Sequence, residues 1–568
     1  MAPREGRTLA VAHIATASAI TVAIAMLFQI PVPTYMAYIV FLVSQSERKA
    51  TVMVGVVGQI AVTLAVVLTL VLMSVDLSEP ALRLPAMALS TFVAMYALRT
   101  FVLGPVLYLA GFLVVMVQSV VDDLPNPEAL TRLTLWLWVV LLVPVVITVT
   151  LNLLFGQTIA LLTQRTVRKV LRELEAALLA DDVHHHLAEW RELVVPLLAK
   201  QPDSGAREGR PLFITVAMLR RLTDALVILE ALPEANSAGV REVLAGKVRA
   251  CRDTLEGQGD GAPRATTASD AVAAAPVAPA TGDPTSPALA FEAALTAFQR
   301  EIVHPSAPAT AKSHKRPVFA PDAFTNPAHW QFALKTTIAV MIVYFIYTML
   351  DWPGMRTSIV TCFFVALGSL GETVHKLVLR LSGALIGGLI AALCIVFVLP
   401  HMTDIGQLCL LVAVVTAGAG WVATSSELLS YAGLQIAFAF FLGILQGYAP
   451  ATDLTVLRDR VAGILLGNIV ITLVFTLLWP QSATAKLQAA LSDAQKAINA
   501  VLNRSGDPGE ARVRTAQALV QAHLFSLIRR FELSMLPKHP HREGAQAAEV
   551  MDAERSAGEA FVATYEST

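Results

Sequence analysis

The sequence predicts an all-α polytopic membrane protein: two parallel six-helix transmembrane repeats separated by a helical cytoplasmic domain. Three observations support this prediction. Charged residues make up only 15% of the 568 residues, well below the roughly 25% of a typical soluble domain. Apolar runs long enough to cross a hydrocarbon core of about 30 Å recur in two blocks. The second block also repeats sequence features of the first.

The apolar runs give the predicted membrane spans. Short charged or proline-containing turns separate the runs within each block, and a long polar region separates the blocks. We predict spans near 9–30, 33–45, 51–73, 84–101, 102–120 and 133–155, and near 331–350, 354–370, 381–399, 405–423, 428–447 and 461–479.

These spans divide the chain into five predicted regions. Residues 1–155 form the N-terminal transmembrane repeat, and residues 156–256, with apolar residues at helical spacing, form a helical cytoplasmic domain. Residues 257–330 are rich in alanine, proline, threonine and glycine, which predicts a flexible linker with one short helix. Residues 331–480 form the C-terminal transmembrane repeat, and residues 481–568 form a cytoplasmic helical tail.

Lysine and arginine residues give the predicted orientation. With the N-terminus inside, the inside loops of the first block carry Arg48, Lys49 and Arg99, whereas the outside loops carry only Arg83 and Arg132. Cytoplasmic loops carry an excess of Lys and Arg. Six spans in each block then return the chain to the same side, so both termini are predicted to be cytoplasmic.

The two blocks match in register near their ends. Residues 129–155 align without gaps with residues 453–479, and the segments Val-Ile-Thr and Leu-Leu-aromatic coincide; Pro33 similarly corresponds to Pro353. Six spans in each block make the repeats parallel, and five would make the second repeat inverted. In folds of this kind the substrate path lies between the halves.

The stretch 371–400 combines a charged turn with an uncharged helix. Gly383, Gly387 and Gly388 share one helix face there. Small residues on one face allow two membrane helices to approach closely. We therefore predict that this helix packs tightly against a neighbour.

Basic and aromatic residues in the second block are candidates for binding an anionic aromatic substrate. A guanidinium can pair with a carboxylate through two hydrogen bonds, and an aromatic ring can stack on another ring. The alternative is structural, since basic residues anchor cytoplasmic helix ends and Trp and Tyr mark membrane interfaces. The candidates are Trp352, Arg356, Lys376, Arg380, Tyr431, Arg458 and Arg460.

Acidic residues, consecutive histidines and one glycine-containing stretch are further candidates for function. Glu47, Glu372 and Glu427 are candidate proton carriers if the protein moves a solute by proton coupling, or else solvated turn carboxylates. The consecutive histidines 184–186 point in different directions on a helix, so no metal site is predicted. Residues 239–248 lack the Ser or Thr of a nucleotide-binding loop, and no catalytic constellation is present. We therefore predict no cofactor and no enzymatic activity.

Several short motifs of the second block occur in an order known from one family. They are the turn Asp351-Trp352-Pro353, then Glu372, Lys376 and Arg380-x-x-Gly383-x-x-x-Gly387, then Tyr431-Ala, and then Arg458 and Arg460 before Gly463. With this order, and with its layout of two span blocks around a cytoplasmic domain, the chain resembles the fusaric acid resistance family of bacterial inner-membrane proteins. The first block departs from the pattern, since no tryptophan precedes Pro33 and Gly55 and Gly58 only loosely replace the glycine motif.

The resemblance implies an inner-membrane efflux transporter for small aromatic organic acids or drugs. It also implies a periplasmic adaptor of the membrane-fusion type and, in some members, an outer-membrane channel. Because no nucleotide site is encoded, a proton gradient is the expected driving force. Alternatives are an organic-anion channel resembling the aluminium-activated malate channels and a non-transporting membrane scaffold. The expected partners also include membrane lipid around the spans. The net charge of −1 gives no attraction to nucleic acid, so none is expected to bind. The chain could be a monomer or a homo-oligomer.

Overall fold

Every regular element that the structure describes is a helix, and this confirms the all-α class. The structure is a computed structural model. It describes residues 6–75, 79–121, 123–124, 126–200, 214–233, 238–257, 286–304, 318–365, 370–426, 428–449, 453–480, 482–533 and 540–565. In chain order the helices are α1 (Arg7–Leu27), α2 (Pro33–Val43), α3 (Arg48–Ser74), α4 (Pro80–Thr100), α5 (Gly104–Gln118), α6 (Pro127–Phe155), α7 (Ile159–Ala180), α8 (Val183–Lys200), α9 (Val216–Ile228), α10 (Ala238–Gly257), α11 (Pro287–Val303), α12 (Pro327–Met349), α13 (Thr357–Val365), α14 (Leu370–Leu393), α15 (Ile405–Ala423), α16 (Ser430–Ile444), α17 (Thr455–Leu477), α18 (Ala483–Leu502), α19 (Pro508–Leu533) and α20 (Pro540–Tyr565).

The chain divides into two compact units, and each draws on two separate parts of the sequence. The membrane unit comprises Ala2–Thr158 and His314–Gln481. The bundle unit comprises Ile159–Ser313 and Ser482–Thr568. The membrane unit thus contains both apolar blocks, and the bundle unit contains the middle of the chain together with its C-terminal part.

Eight helices of the described chain are long and apolar enough to cross a bilayer. They are α1, α3, α4, α6, α12, α14 with its continuation to His401, α15 and α17. All eight belong to the membrane unit. These helices confirm that the protein is a polytopic membrane protein.

Four further apolar helices of the membrane unit are short. Helices α2, α5, α13 and α16 contain 11, 15, 9 and 15 residues, and so extend over only about 14–22 Å. They meet in pairs across the two halves. The Thr34 hydroxyl of α2 donates to the Leu445 carbonyl after α16 at 2.8 Å, and the Tyr108 hydroxyl of α5 donates to the Phe363 carbonyl of α13 at 3.2 Å. Each short pair therefore joins one helix from each half of the membrane unit.

The two halves use corresponding helix partners. Helix α1 packs on α2 and α6, α3 on α5 and α6, and α4 on α5. In the second half α12 packs on α13 and α17, α14 on α16 and α17, and α15 on α16. Across the halves α1 packs on α15, and α4 on α12. This pattern is the one expected of two repeats, and their parallel relation remains a prediction.

Two of the three predicted packing glycines bring α14 against α16. A Cβ at Gly383 would lie 2.7 Å from the Ala432 carbonyl oxygen, and one at Gly387 would lie 2.2 Å from the Ile436 carbonyl oxygen. Gly388 does not share this contact, because its nearest neighbour would be a Leu457 methyl at 4.0 Å. Close approach of these two helices thus depends on Gly383 and Gly387.

Replacing Gly387 by alanine is expected to destabilise the membrane unit by about 1–3 kcal/mol, because the added methyl must displace backbone. A lowered thermal midpoint of the purified full-length protein would show this. Gly388→Ala is the matched control, one residue away on the same helix with open space around it. Equal effects of the two substitutions would contradict the packing argument.

The large hydrophobic core of the bundle unit joins distant parts of the chain. Fully buried side chains from the middle of the chain, such as Trp190 and Phe298, lie in the same cluster as Leu519 and Phe561 near the C-terminus. Helix α19 packs on α8 and α9, and α20 packs on α9 and α11. Most of the predicted linker, residues 258–285 and 305–317, lies outside the described residues.

A buried cluster of charged residues also joins the distant parts of the bundle unit. The Arg191 guanidinium, 1% exposed, lies 3.0 Å from the Glu230 carboxylate and also pairs with Glu554 of α20. Burial raises the pKa of Glu230 to about 7, with Glu554 adding to the rise and Arg191 opposing it. Burial likewise raises the pKa of Asp224 to about 6, against the nearby Arg512.

The bundle unit is therefore expected to become more stable as the pH falls. The folded Glu230 carboxyl binds a proton near pH 7, whereas an unfolded glutamate does so only near pH ~4.3. Between these values the folded state holds the extra proton, so stability rises as the pH is lowered through about 7. Hydrogen exchange of α20 in the full-length protein would measure this. Glu230→Gln should flatten the profile, and a rise in stability toward alkaline pH would contradict it.

Candidate substrate site

Arg380 is buried in the membrane unit and makes hydrogen bonds to two neighbouring helices. Arg380 is 1% exposed, and its guanidinium donates from Nη1 to the Tyr431 hydroxyl of α16 at 2.8 Å. It also donates from Nε to the Thr361 hydroxyl of α13 at 3.2 Å. Gly383, one turn further along α14, allows the close approach that brings these helices together. Among the described residues the remaining nitrogen, Nη2, is buried without a hydrogen-bond partner.

Arg460 of α17 is also buried and lies against the same helix. Its Nη2 donates to the Gln435 side-chain oxygen at 3.4 Å, and its guanidinium lies 4.0 Å from the Phe438 ring centroid. The Tyr38 ring of α2 stacks on Phe438 with a centroid distance of 4.0 Å. Two groups at this distance cannot share one face of a ring, so Phe438 lies between Tyr38 and Arg460. The first half of the chain thus contributes an aromatic wall.

The two guanidiniums form a cationic cluster. Tyr431 and Gln435, their partners on α16, are four residues apart and share one helix face. Within the described residues the contacts of the two guanidiniums are to hydroxyls, an amide and an aromatic ring, and none is to a carboxylate. A buried cation without an ionic partner is costly, so this arrangement is suited to binding an anion.

The other predicted binding residues fall into three groups. Lys376 joins the cluster, because its ammonium lies 4.9 Å from the Tyr431 ring centroid. Arg458 lies 5.4 Å from the Trp352 ring centroid and pairs at 2.8 Å with its neighbour Asp459, with its side chain 63% exposed. Arg356 pairs instead with Asp123. Lys376, Arg380 and Arg460 therefore lie beside α16, which carries Tyr431. The other three candidates, Trp352, Arg356 and Arg458, lie apart from them.

Two of the three predicted proton carriers lie where helices begin. Glu47 is the residue before α3, and Glu372 lies in the first turn of α14; both are partly buried. Glu427 lies outside the described residues. Among the described His, Cys, Asp and Glu side chains, no group of three could hold a metal ion.

Three neutral residues of the site escaped the sequence analysis. Tyr38, Gln435 and Phe438 carry no charge and lie inside apolar runs, so no local pattern distinguishes them. The available signal was Gln435, an amide within an otherwise apolar span, because polar residues inside membranes are costly and are retained for a purpose.

Helices that cross the membrane and enclose a cationic cluster define an α-helical membrane protein with an internal polar site. The family model described as fusaric acid resistance protein-like matches residues 327–474, which carry α12 to α16 and most of α17. The resemblance predicted from the sequence is thereby confirmed.

The chain is also similar to multidrug resistance protein MdtO from several enterobacteria. It is 27% identical over 522 residues to MdtO of Escherichia coli O6:H1, which covers 88% of this chain and 73% of that protein. It is 27% identical over 512 residues to MdtO of Escherichia coli K12, with 86% and 72% covered. It is also 27% identical over 522 residues to MdtO of Shigella flexneri, an alignment that covers 88% of this chain and 73% of that protein. No solved structure matches the chain. These similarities support a multi-pass inner-membrane efflux transporter.

Proposed function

We propose that this efflux transporter exports small organic anions, aromatic carboxylic acids among them, from the cytoplasm. The observation that carries the proposal is the buried Arg380 guanidinium, which has an unused donor and no carboxylate partner in the described structure. Each guanidinium–carboxylate bond is charge-assisted and roughly twice as strong as a neutral hydrogen bond. The multidrug resistance proteins that resemble the chain support export rather than uptake.

The site lies where the two halves of the membrane unit meet. Tyr38 comes from the first half, whereas Arg380, Phe438 and Arg460 come from the second. A path between two repeats lets rocking of one half against the other expose a bound substrate to each side in turn. An aromatic body would rest against the rings of Tyr38 and Tyr431 while its carboxylate faces the guanidiniums.

The driving force and the partners belong to the same proposal. A proton gradient is the proposed source of energy, with Glu47, Glu372 and Glu427 as its candidate carriers. A periplasmic membrane-fusion adaptor, and with it an outer-membrane channel, would carry the substrate onward. Both termini are proposed to be cytoplasmic, which follows from the distribution of lysine and arginine in the loops.

Uptake of labelled benzoate into inside-out vesicles tests the proposal, because export from a cell corresponds to uptake there. Accumulation that requires this protein and an imposed proton gradient is the expected result. Equilibration without any gradient would instead support the second candidate, an organic-anion channel, which the unpaired buried cations also suit. Absence of flux from vesicles that hold folded protein would overturn both and favour a scaffold.

A further inference from the structure

Three buried nitrogen atoms around α16 have hydrogens to donate and no acceptor among the described residues. They are Nη2 of Arg380, Nε of Arg460 and Nε2 of Gln435. Their residues are 1%, 3% and 0% exposed, respectively. An unmade hydrogen bond of a buried group costs about 1–3 kcal/mol, and more for a charged group. Three such groups together therefore form a place suited to a hydrogen-bond acceptor.

The orientation of the Gln435 amide follows from its partner. Arg460 has only donors, so the Gln435 atom that faces its Nη2 must be the oxygen. The nitrogen of the amide is then the free end. All three nitrogens are consequently donors, and the group that they suit is an acceptor.

Helix packing holds the three donors near one another. The Cβ that alanine would add at Gly383 lies 2.7 Å from the Gln435 Cβ, so glycine there is what lets α14 lie against Gln435. Arg380 precedes Gly383 by about one turn and bonds Tyr431, one turn before Gln435. Arg460 reaches Gln435 from the third helix, α17. The donors thus come from three helices that meet beside one face of α16.

We propose that Gln435 is a specificity-determining residue that completes a carboxylate site with Arg380 and Arg460. This inference rests on the proposed function and names the group of the substrate that is recognised. A carboxylate has about four lone-pair positions, enough for three donors, and its charge balances the two guanidiniums in part. An organic cation would be repelled by both, and a neutral molecule would leave the charges unbalanced. The site therefore selects ionised acids.

The substitution Gln435→Glu gives the sharpest test, because it places a carboxylate of nearly the same shape among the donors. The variant is expected to have a higher thermal midpoint than the native protein in the absence of ligand. It is also expected to lose the rise in midpoint that benzoate produces in the native protein, and at least tenfold of the benzoate flux. Gln435→Leu, which removes the amide, should weaken benzoate binding about tenfold, or about 1.4 kcal/mol. Gln407→Glu, at an exposed position of α15, is the control and should change neither the thermal midpoint nor the benzoate flux.

The outcomes separate this inference from the proposed function. A lowered midpoint or failure of Gln435→Glu to fold would overturn the inference, as would native-like benzoate flux in that variant while the native protein transports. Benzoate could raise the thermal midpoint of the native protein, but not that of Gln435→Glu, while the native protein shows no flux. This result would support the carboxylate site and overturn the proposal that the protein is an exporter. Neither flux nor a benzoate effect on the native protein would overturn both.

Discussion

Export of an aromatic carboxylate is expected to fall by at least about 30-fold when Arg380 is replaced by alanine. The substitution removes the charge that faces the substrate and the bonds that join α14 to α13 and α16. Removing one partner of a buried, hydrogen-bonded charge pair typically costs about 2–5 kcal/mol, and each 1.4 kcal/mol is a factor of ten. Initial rates of benzoate uptake into inside-out vesicles, at equal amounts of folded protein, would measure the loss.

Arg458→Ala is the matched control for this prediction. It removes an arginine from the same half of the chain, but one whose side chain is 63% exposed and paired with its neighbour Asp459. Such an exposed pair contributes roughly 0–1 kcal/mol, so little change in uptake is expected. Arg380→Lys should recover little, since an ammonium cannot reproduce the forked contacts of a guanidinium. Benzoate uptake at the wild-type rate by the Arg380→Ala variant would show that Arg380 is not part of the substrate site.

The largest expected effect on stability is that of Phe561→Ala in α20. Phe561 is fully buried in the bundle core, and its truncation leaves a cavity there. Substitutions of this kind cost about 3–5 kcal/mol, which is a large part of the stability of most domains. A faster hydrogen exchange of α8, α9 and α20 in the full-length protein is the expected observation.

Met551→Ala provides the comparison within the same helix. Met551 is 66% exposed, so the substitution buries nothing and opens no cavity. Its exchange rates should remain within the spread of the native protein. If Phe561→Ala left the exchange of α8 and α9 unchanged, α20 could not be part of a common core with them.

The membrane character of the chain could be predicted from composition because a lipid-exposed helix must be apolar along its whole length. The same rule made charged residues stand out, which is why Arg380 and Arg460 could be identified as candidates. Gln435 and Tyr38 required knowledge of which helix faces which. That depends on tertiary packing, and a single sequence without its fold gives no register between α2, α14 and α16.

Helix ends were harder to predict than helices. The predicted span 428–447 continues past Ile444, where α16 ends, because Leu445 extends the apolar run while the backbone leaves the helix there. Hydropathy reports burial in lipid or protein and not the hydrogen-bonding state of the backbone. The shortness of α16, which places its end beside Thr34, was therefore not visible in the pattern.

The divided origin of the bundle unit has a consequence for synthesis. Its core needs Phe561 and its neighbours, which leave the ribosome after the whole second block of membrane helices has been made. At rates of about 5–20 residues per second, helices α7 to α11 must spend on the order of ten seconds or more with part of their apolar surface uncovered. Helix α20 thus completes a domain whose first helix precedes the second membrane block, so a nascent chain acquires this core only after that block has been made.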